Sequence, residues 1–181
     1  ANYIRGKKKK NEFEQIALGA VDTFFREADE ASRNINSKRF DERFDRMEQT
    51  NELVHGSYNY HNVFLDVGNG GNAVTNFEKC HNDCQVADLY QFLRKAMEKH
   101  DWNINVAYRL VDEYDRLKPL EDDDIDMLVT LLSFPEKFWK IINQYYNAGK
   151  AWVPAKNIDK LKIVIEQNMR RRELIDKMCG M

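Results

Sequence analysis

The side chains best suited to chemistry cluster between His55 and Asp88. His55 and Gly56 open a polar loop that carries Ser57 and closes on Asn62. Asn76 follows a short turn, and Asp88 lies further on. Ser57 offers a hydroxyl, which is no base near neutral pH without an activating partner. Asn62 and Asn76 offer neutral amide oxygens, weak ligands at best for a metal ion. Cys80, His81 and Cys84 form a second candidate cluster, with two thiols and an imidazole close enough in sequence to serve Zn²⁺. A closed zinc site needs a fourth ligand, which His61 or His55 would have to fold over to supply. Ordinary loop cysteines are the simpler reading. Glu121 to Asp124 is a third cluster, of four adjacent acids. Four consecutive residues on a helix cannot all face one ion, so these are read as carboxylates favouring a helix N-terminus. The glycine-rich run Asp66 to Gly71 could cradle phosphate, but it lacks the Gly-Lys-Ser/Thr ending of a P-loop. Asn69-Gly70 between two short apolar runs reads as a hairpin turn.

These residues need elements to hold them. Phe13, Ile16, Ala17, Ala20, Val21, Phe24, Phe25 and Ala28 recur at helical spacing. Asn11 and Glu14 suit a capping box at the start of that helix. A second helix is predicted from Asp41 to Leu53, with Phe40, Phe44 and Met47 on one face. Val54 to Asp66 and Ala73 to Phe77 then read as strands of a small hairpin. Helical spacing returns over Ala87–Lys99, Asn105–Leu117, a stretch opened by Glu121, and one opened by Pro135 and ended by Gly149. A long helix over Ile158–Met178 closes the chain, with Arg170 to Arg172 read as a solvated face. Phe138, Trp139, Tyr145, Tyr146 and Trp152 form an aromatic strip that could be partly a docking surface and is more simply core, because its spacing is helical. The predicted class is mainly α with one small β-hairpin.

The 181 residues carry 28 basic and 30 acidic side chains, a net charge of −2, and 43% are hydrophobic. That suits a packed domain and argues against a nucleic-acid partner. No apolar run reaches the roughly 18 residues of a membrane span. Three cysteines, Cys80, Cys84 and Cys179, are an odd number, which favours synthesis in a reducing compartment over a stapled secreted domain. The first ten residues form a basic connector; Lys7 to Lys10 could meet phosphate or anionic lipid, and are more simply solvated.

The order of motifs resembles the C-terminal lobe of kinase-like small-molecule phosphotransferases of the aminoglycoside phosphotransferase and choline kinase type. There a His-Gly-Asp-x-x-x-x-Asn loop precedes a hairpin, an Asp-Phe-type metal motif and a structural Asp. The runs Asn2 to Arg5, His55 to Asn62, Thr75 to Cys80, Asp88 to Lys95 and Phe134 to Tyr146 are similar to the CotS-type spore-coat proteins of endospore-forming bacteria. The resemblance covers essentially the whole chain, a single kinase-like C-lobe over residues 1–181: connector 1–10, catalytic-loop and hairpin region 54–77, helical bundle 87–178.

The resemblance implies roles for each position. The loop Asp of such an enzyme orients the substrate hydroxyl, and the loop Asn with the metal-motif Asp holds Mg²⁺ on ATP. Here His55, Gly56, Asn62 and Asp88 match, whereas Ser57 and Asn76 replace the two catalytic carboxylates. Asp66 or Asp83 could compensate only from off-motif positions. No ATP-binding N-terminal lobe precedes the first helix, so the chain is expected to be the C-terminal half of a longer protein. No cofactor is expected in this fragment, and ATP and Mg²⁺ only if the full-length protein is active. The expected partners are its own N-terminal lobe and other spore-coat proteins, with no nucleic acid and no membrane. The expected place is the spore coat after synthesis in the mother-cell cytoplasm. The function implied is structural or interactive without phosphotransfer, the alternative being an ATP-dependent small-molecule phosphotransferase with an atypical site.

Overall fold

The structure is a computed structural model that describes residues 6–66, 68, 70–147 and 155–180. Asn69 of the expected turn, Gly149, Trp152 and the run Asn2 to Arg5 lie outside the described residues.

Helix α1, Glu12–Ile35, begins at the expected cap. The Glu14 amide donates to Asn11 Oδ1 at 2.9 Å, and the Asn11 amide donates to Glu14 Oε2 at 3.1 Å. Two N–H groups that a helix start leaves over are thereby satisfied. Lys7 reaches Glu14 at 2.6 Å, so the basic connector is not wholly solvated, although Lys8 and Lys9 are exposed. Phe13, Ala17, Val21 and Phe24 form the buried face of α1. Phe24 stacks on Phe138 at 4.0 Å and Phe13 on Tyr145 at 4.2 Å. Burying each phenylalanine contributes about 1.5–3 kcal/mol.

A 3-10 turn, Lys38–Phe40, leads into helix α2, Asp41–Thr50. That helix ends before Leu53 because Asn51 takes the left-handed conformation, φ 51°, and caps it. Leu53–Val54 is strand β1 instead. Strands β2, Val63–Phe64, and β3, Ala73–Val74, form the expected hairpin, with Val63 opposite Val74. The returning strand stops short of Phe77 because Asn76 turns left-handed, φ 69°, into a 3-10 turn at Phe77–Lys79. A second antiparallel ladder joins β1 to β4, His81–Asn82, with Val54 opposite His81.

The other helices are α3, Val86–Lys99; α4, Ile104–Leu117; α5, Asp122–Ser133; α6, Glu136–Asn147; and α7, Ala155–Met178. Helix α5 is the hub, packed on α1, α3 and α7. Its residues Met127, Leu128 and Leu132 join Leu89, Leu93 and Met97 of α3 in one core. A second core holds the α1 face, Phe138 and Ile141 of α6, and Leu161 of α7. The acidic block does open α5: Glu121 and Asp124 form its capping box. Trp139 of the aromatic strip is half-buried beside Phe138, and Tyr146 is exposed.

Arg171 departs from the expected solvated face. It is buried, and its guanidinium donates to the Leu132 and Ser133 carbonyls at 2.9 and 3.0 Å and pairs with Glu27. It supplies the donors that the last turn of α5 lacks. Arg170 and Arg172 on either side are exposed. No described helix is long and apolar enough to cross a membrane.

Candidate functional site: an anchored loop beside a short hairpin

The loop from His55 to Asn62 leaves the end of β1 and is held from below by Asp88, in the first turn of α3. Asp88 Oδ2 accepts the His55 amide at 2.5 Å, and Oδ1 accepts the Gly56 amide at 3.0 Å. A carboxylate receiving two consecutive backbone donors sets the direction in which the loop departs. Gly56 has φ +69°, and a Cβ there would lie 2.1 Å from the Lys79 carbonyl oxygen. The position therefore requires glycine for conformation and for space.

The His55 ring, buried, ties the loop to the hairpin. Its Nε2 bonds the Thr75 carbonyl at 2.8 Å, and its Nδ1 accepts the Ser57 amide at 3.2 Å. These partners fit the tautomer with its proton on Nε2. Both ring nitrogens are thus engaged with backbone, and neither faces the Ser57 hydroxyl as a base. Asn62 Nδ2 donates to the Ser57 carbonyl at 2.8 Å, and Asn59 Nδ2 donates to the same oxygen at 2.6 Å. The Thr75 amide donates to the Asn62 carbonyl at 3.0 Å, which brings Asn62 and Asn76 to the same end of the hairpin. Asn76 is exposed there. Asp66 sits past the opposite end of β2, exposed, with φ 56°. Asp83 is engaged elsewhere: its Oδ1 accepts the Cys84 amide at 2.7 Å.

Under the loop lies a buried polar node that the sequence pattern did not disclose. Arg43 of α2 donates to Asp124 at 2.7 Å and to Glu52 at 2.8 Å, and Glu52 also accepts the Gln85 amide at 2.9 Å. The node ties α2, the start of β1, the entry to α3 and the cap of α5. Burial alone would raise the Glu52 carboxyl, but hydrogen bonds from Arg43 and the Gln85 amide outweigh it, and the net shift is downward. Burial alone would lower Arg43, yet its two carboxylate partners hold it above its ordinary value. The only sequence signals were an arginine on the face shared by Phe40, Phe44 and Met47, and the acids it could meet.

The cysteines do not converge. Cys80 is exposed, while Cys84 is fully buried in the core with its thiol pushed up to about 11, mainly by burial. His81 Nδ1 bonds the Lys79 carbonyl at 2.7 Å instead of joining them, and His61 lies against the Tyr60 ring at 4.1 Å. Among the described residues no three His, Cys, Asp or Glu side chains are grouped so as to hold a metal ion.

Residues 4–178 match a protein family described as Spore coat putative kinase YutH. The chain belongs to that family. No curated protein gives a significant match. Among solved structures, an aminoglycoside phosphotransferase from Alicyclobacillus acidocaldarius is similar in fold, with a TM-score of 0.88 at 17% identity. The alignment covers 99% of this chain and 53% of that one, so this chain spans about half its length. The family's kinase-like fold is therefore the frame in which the His55–Asn62 loop, the hairpin and Asp88 sit. Within it, Asn62 and Asn76 present uncharged oxygens, and among the described residues no three His, Cys, Asp or Glu side chains gather there to supply the missing charge. Mg²⁺ takes charged oxygen ligands in near-octahedral geometry, and this donor set does not suit it.

Proposed function

We propose that this spore-coat kinase-like chain has kept the architecture of a phosphotransferase lobe without its transfer chemistry, and serves by binding other coat proteins. One observation carries the reading. The Asp88 clamp on the His55 and Gly56 amides is intact, whereas Ser57 and Asn76 stand where the resembling enzymes carry their two catalytic carboxylates. His55 does not act as a base toward the Ser57 hydroxyl, since both its ring nitrogens are occupied by backbone. Losing one positioned acid–base group removes a factor of roughly 10² to 10⁴, and here two groups are replaced. In this reading the lobe needs neither ATP nor Mg²⁺, meets its own N-terminal lobe in the full-length protein, and reaches the spore coat after synthesis in the mother cell.

Asn62 favours a second reading, an ATP-dependent phosphotransferase acting on a small hydroxyl compound. Its side-chain carbonyl accepts no hydrogen bond among the described residues and is free for a ligand. The test is calorimetric titration of the full-length protein with ATP, with and without Mg²⁺, followed by a turnover assay. The structural reading expects no Mg²⁺-dependent binding and no turnover. Mg²⁺-dependent turnover that disappears in Asn62→Ala would replace it with the enzyme reading.

A further inference from the structure

Beside the loop, the C-terminal half of α3 carries two kinds of cation. Arg94 is neutralised: it pairs with Glu98, and its Nε lies 3.1 Å from Glu136. Lys137 also pairs with Glu98, at 2.9 Å, which fixes the first turn of α6 against the end of α3. Lys95, Lys99 and Lys140 differ, for among the described residues no carboxylate pairs with any of them. Lys95 and Lys99 are four residues apart on one face of α3, and Lys140 follows Lys137 by about one turn of α6. Lys99 Nζ stands 3.7 Å over the ring of Tyr60, at the outer end of the loop. Partial burial, with the nearby charges of Arg94 and Lys140, destabilises the Lys95 ammonium.

Three cations that form no ion pair among the described residues, on an otherwise slightly acidic chain, make a surface that an anionic partner would complete. The patch is open and crosses from one helix to another, with Lys99 and Lys140 exposed. Next to Lys140 a groove of ≈ 550 Å³ runs along α6, lined by Trp139, Asn143, Gln144 and Asn147 and by Glu136, whose carboxylate is taken up by Arg94 at 3.1 Å. Its amides suit peptide backbone, and its Trp139 side an apolar side chain. An open cationic strip continuing into a largely apolar groove that also carries amide side chains fits an extended chain better than a small ion.

We propose that Lys95, Lys99 and Lys140, with the α6 groove beside them, form a docking surface for an acidic polypeptide segment of a partner protein. This rests on the interaction reading only for the nature of the partner. Its failure would show in peptide binding, and failure of that reading in phosphotransfer.

The experiment is fluorescence anisotropy of the full chain with a labelled peptide rich in Asp and Glu and carrying one Leu. Binding is expected to weaken with added salt, and about tenfold in the triple variant Lys95→Gln, Lys99→Gln, Lys140→Gln. The control Lys8→Gln, Lys9→Gln removes exposed charge elsewhere and is expected to bind as the parent does. Gln144→Trp, which fills the groove without changing charge, is expected to weaken binding as well. Absence of binding, equal loss in the control, or full displacement by millimolar inorganic phosphate at constant ionic strength would each overturn the proposal.

Discussion

Asp88 accepts the backbone N–H groups of His55 and Gly56, one on each carboxylate oxygen, at 2.5 and 3.0 Å. The link joins residues 33 and 32 apart in sequence and makes the loop a dependent of helix α3. Asp88→Ala would leave both amides without their acceptor. The expected loss is about 2–4 kcal/mol in urea-unfolding stability, with Asp88→Asn losing less because one amide oxygen can still accept. Equal stability in Asp88→Ala and the parent would contradict the anchoring role.

Gly56 is constrained by the same clamp. Gly56→Ala would place a methyl group 2.1 Å from a backbone oxygen at a positive φ. A destabilisation of about 2 kcal/mol or more is expected, read as a lowered urea midpoint. Gly19, in α1 with nothing within 4 Å of an added Cβ, provides the contrast: Gly19→Ala is expected to stabilise by about 0.5–1 kcal/mol.

The Arg43 node makes stability depend on pH. The Glu52 carboxyl is lowered in the fold from its ordinary value of 4.5, so the unfolded chain binds its proton more readily. The stability it contributes is therefore full above about pH 4.5 and is lost as pH falls through its lower folded value. Urea midpoints measured between pH 6 and pH 3 are expected to fall, and to fall less steeply in Glu52→Gln. Arg43→Met strands Glu52 and Asp124 as buried charges and is expected to cost about 3–5 kcal/mol at neutral pH.

Thiol labelling separates the cysteines. At pH 8 Cys80 and Cys179, both exposed, are expected to react with a disulfide reagent. Cys84 is shielded and its thiol is pushed up to about 11, so it is expected to react only after unfolding. Labelling of all three thiols at one rate in the folded protein would refute its burial.

Restoring charge at the hairpin tests what the substitutions at Ser57 and Asn76 removed. Asn76 already holds a left-handed backbone, φ 69°, which Asp also tolerates, so Asn76→Asp is expected to cost little stability. Ser57→Asp with Asn76→Asp is expected to raise Mg²⁺ affinity in the full-length protein, read by calorimetry. No rise would remove Asn76 from the metal position.

Much of the scaffold was legible because its signals are local. The Asn11–Glu14 capping box spans three residues, and the apolar spacing of α1 and α3 follows the helical period. The order of the His55, Asn62, Asn76 and Asp88 motifs located the candidate site. What escaped was non-local. The β1–β4 ladder pairs Val54 with His81 through strands too short to carry a period. Arg171 looked solvated between two arginines that are solvated, and nothing adjacent in sequence marks it as the residue that caps α5.

The sequence alone determined which groups are available: a hydroxyl at Ser57 and amides at Asn62 and Asn76, with no carboxylate at those positions. It also determined the helices, since their caps and periods are written within a few residues. The tertiary structure alone decided how those groups are engaged. It turned both nitrogens of His55 to backbone, set Asp88 under two amides, buried Arg43 between carboxylates from separate elements, and left Lys95, Lys99 and Lys140 in no ion pair among the described residues. Hydrogen bonds and ion pairs act over a few ångströms in space, whereas sequence spacing reports only neighbours along the chain.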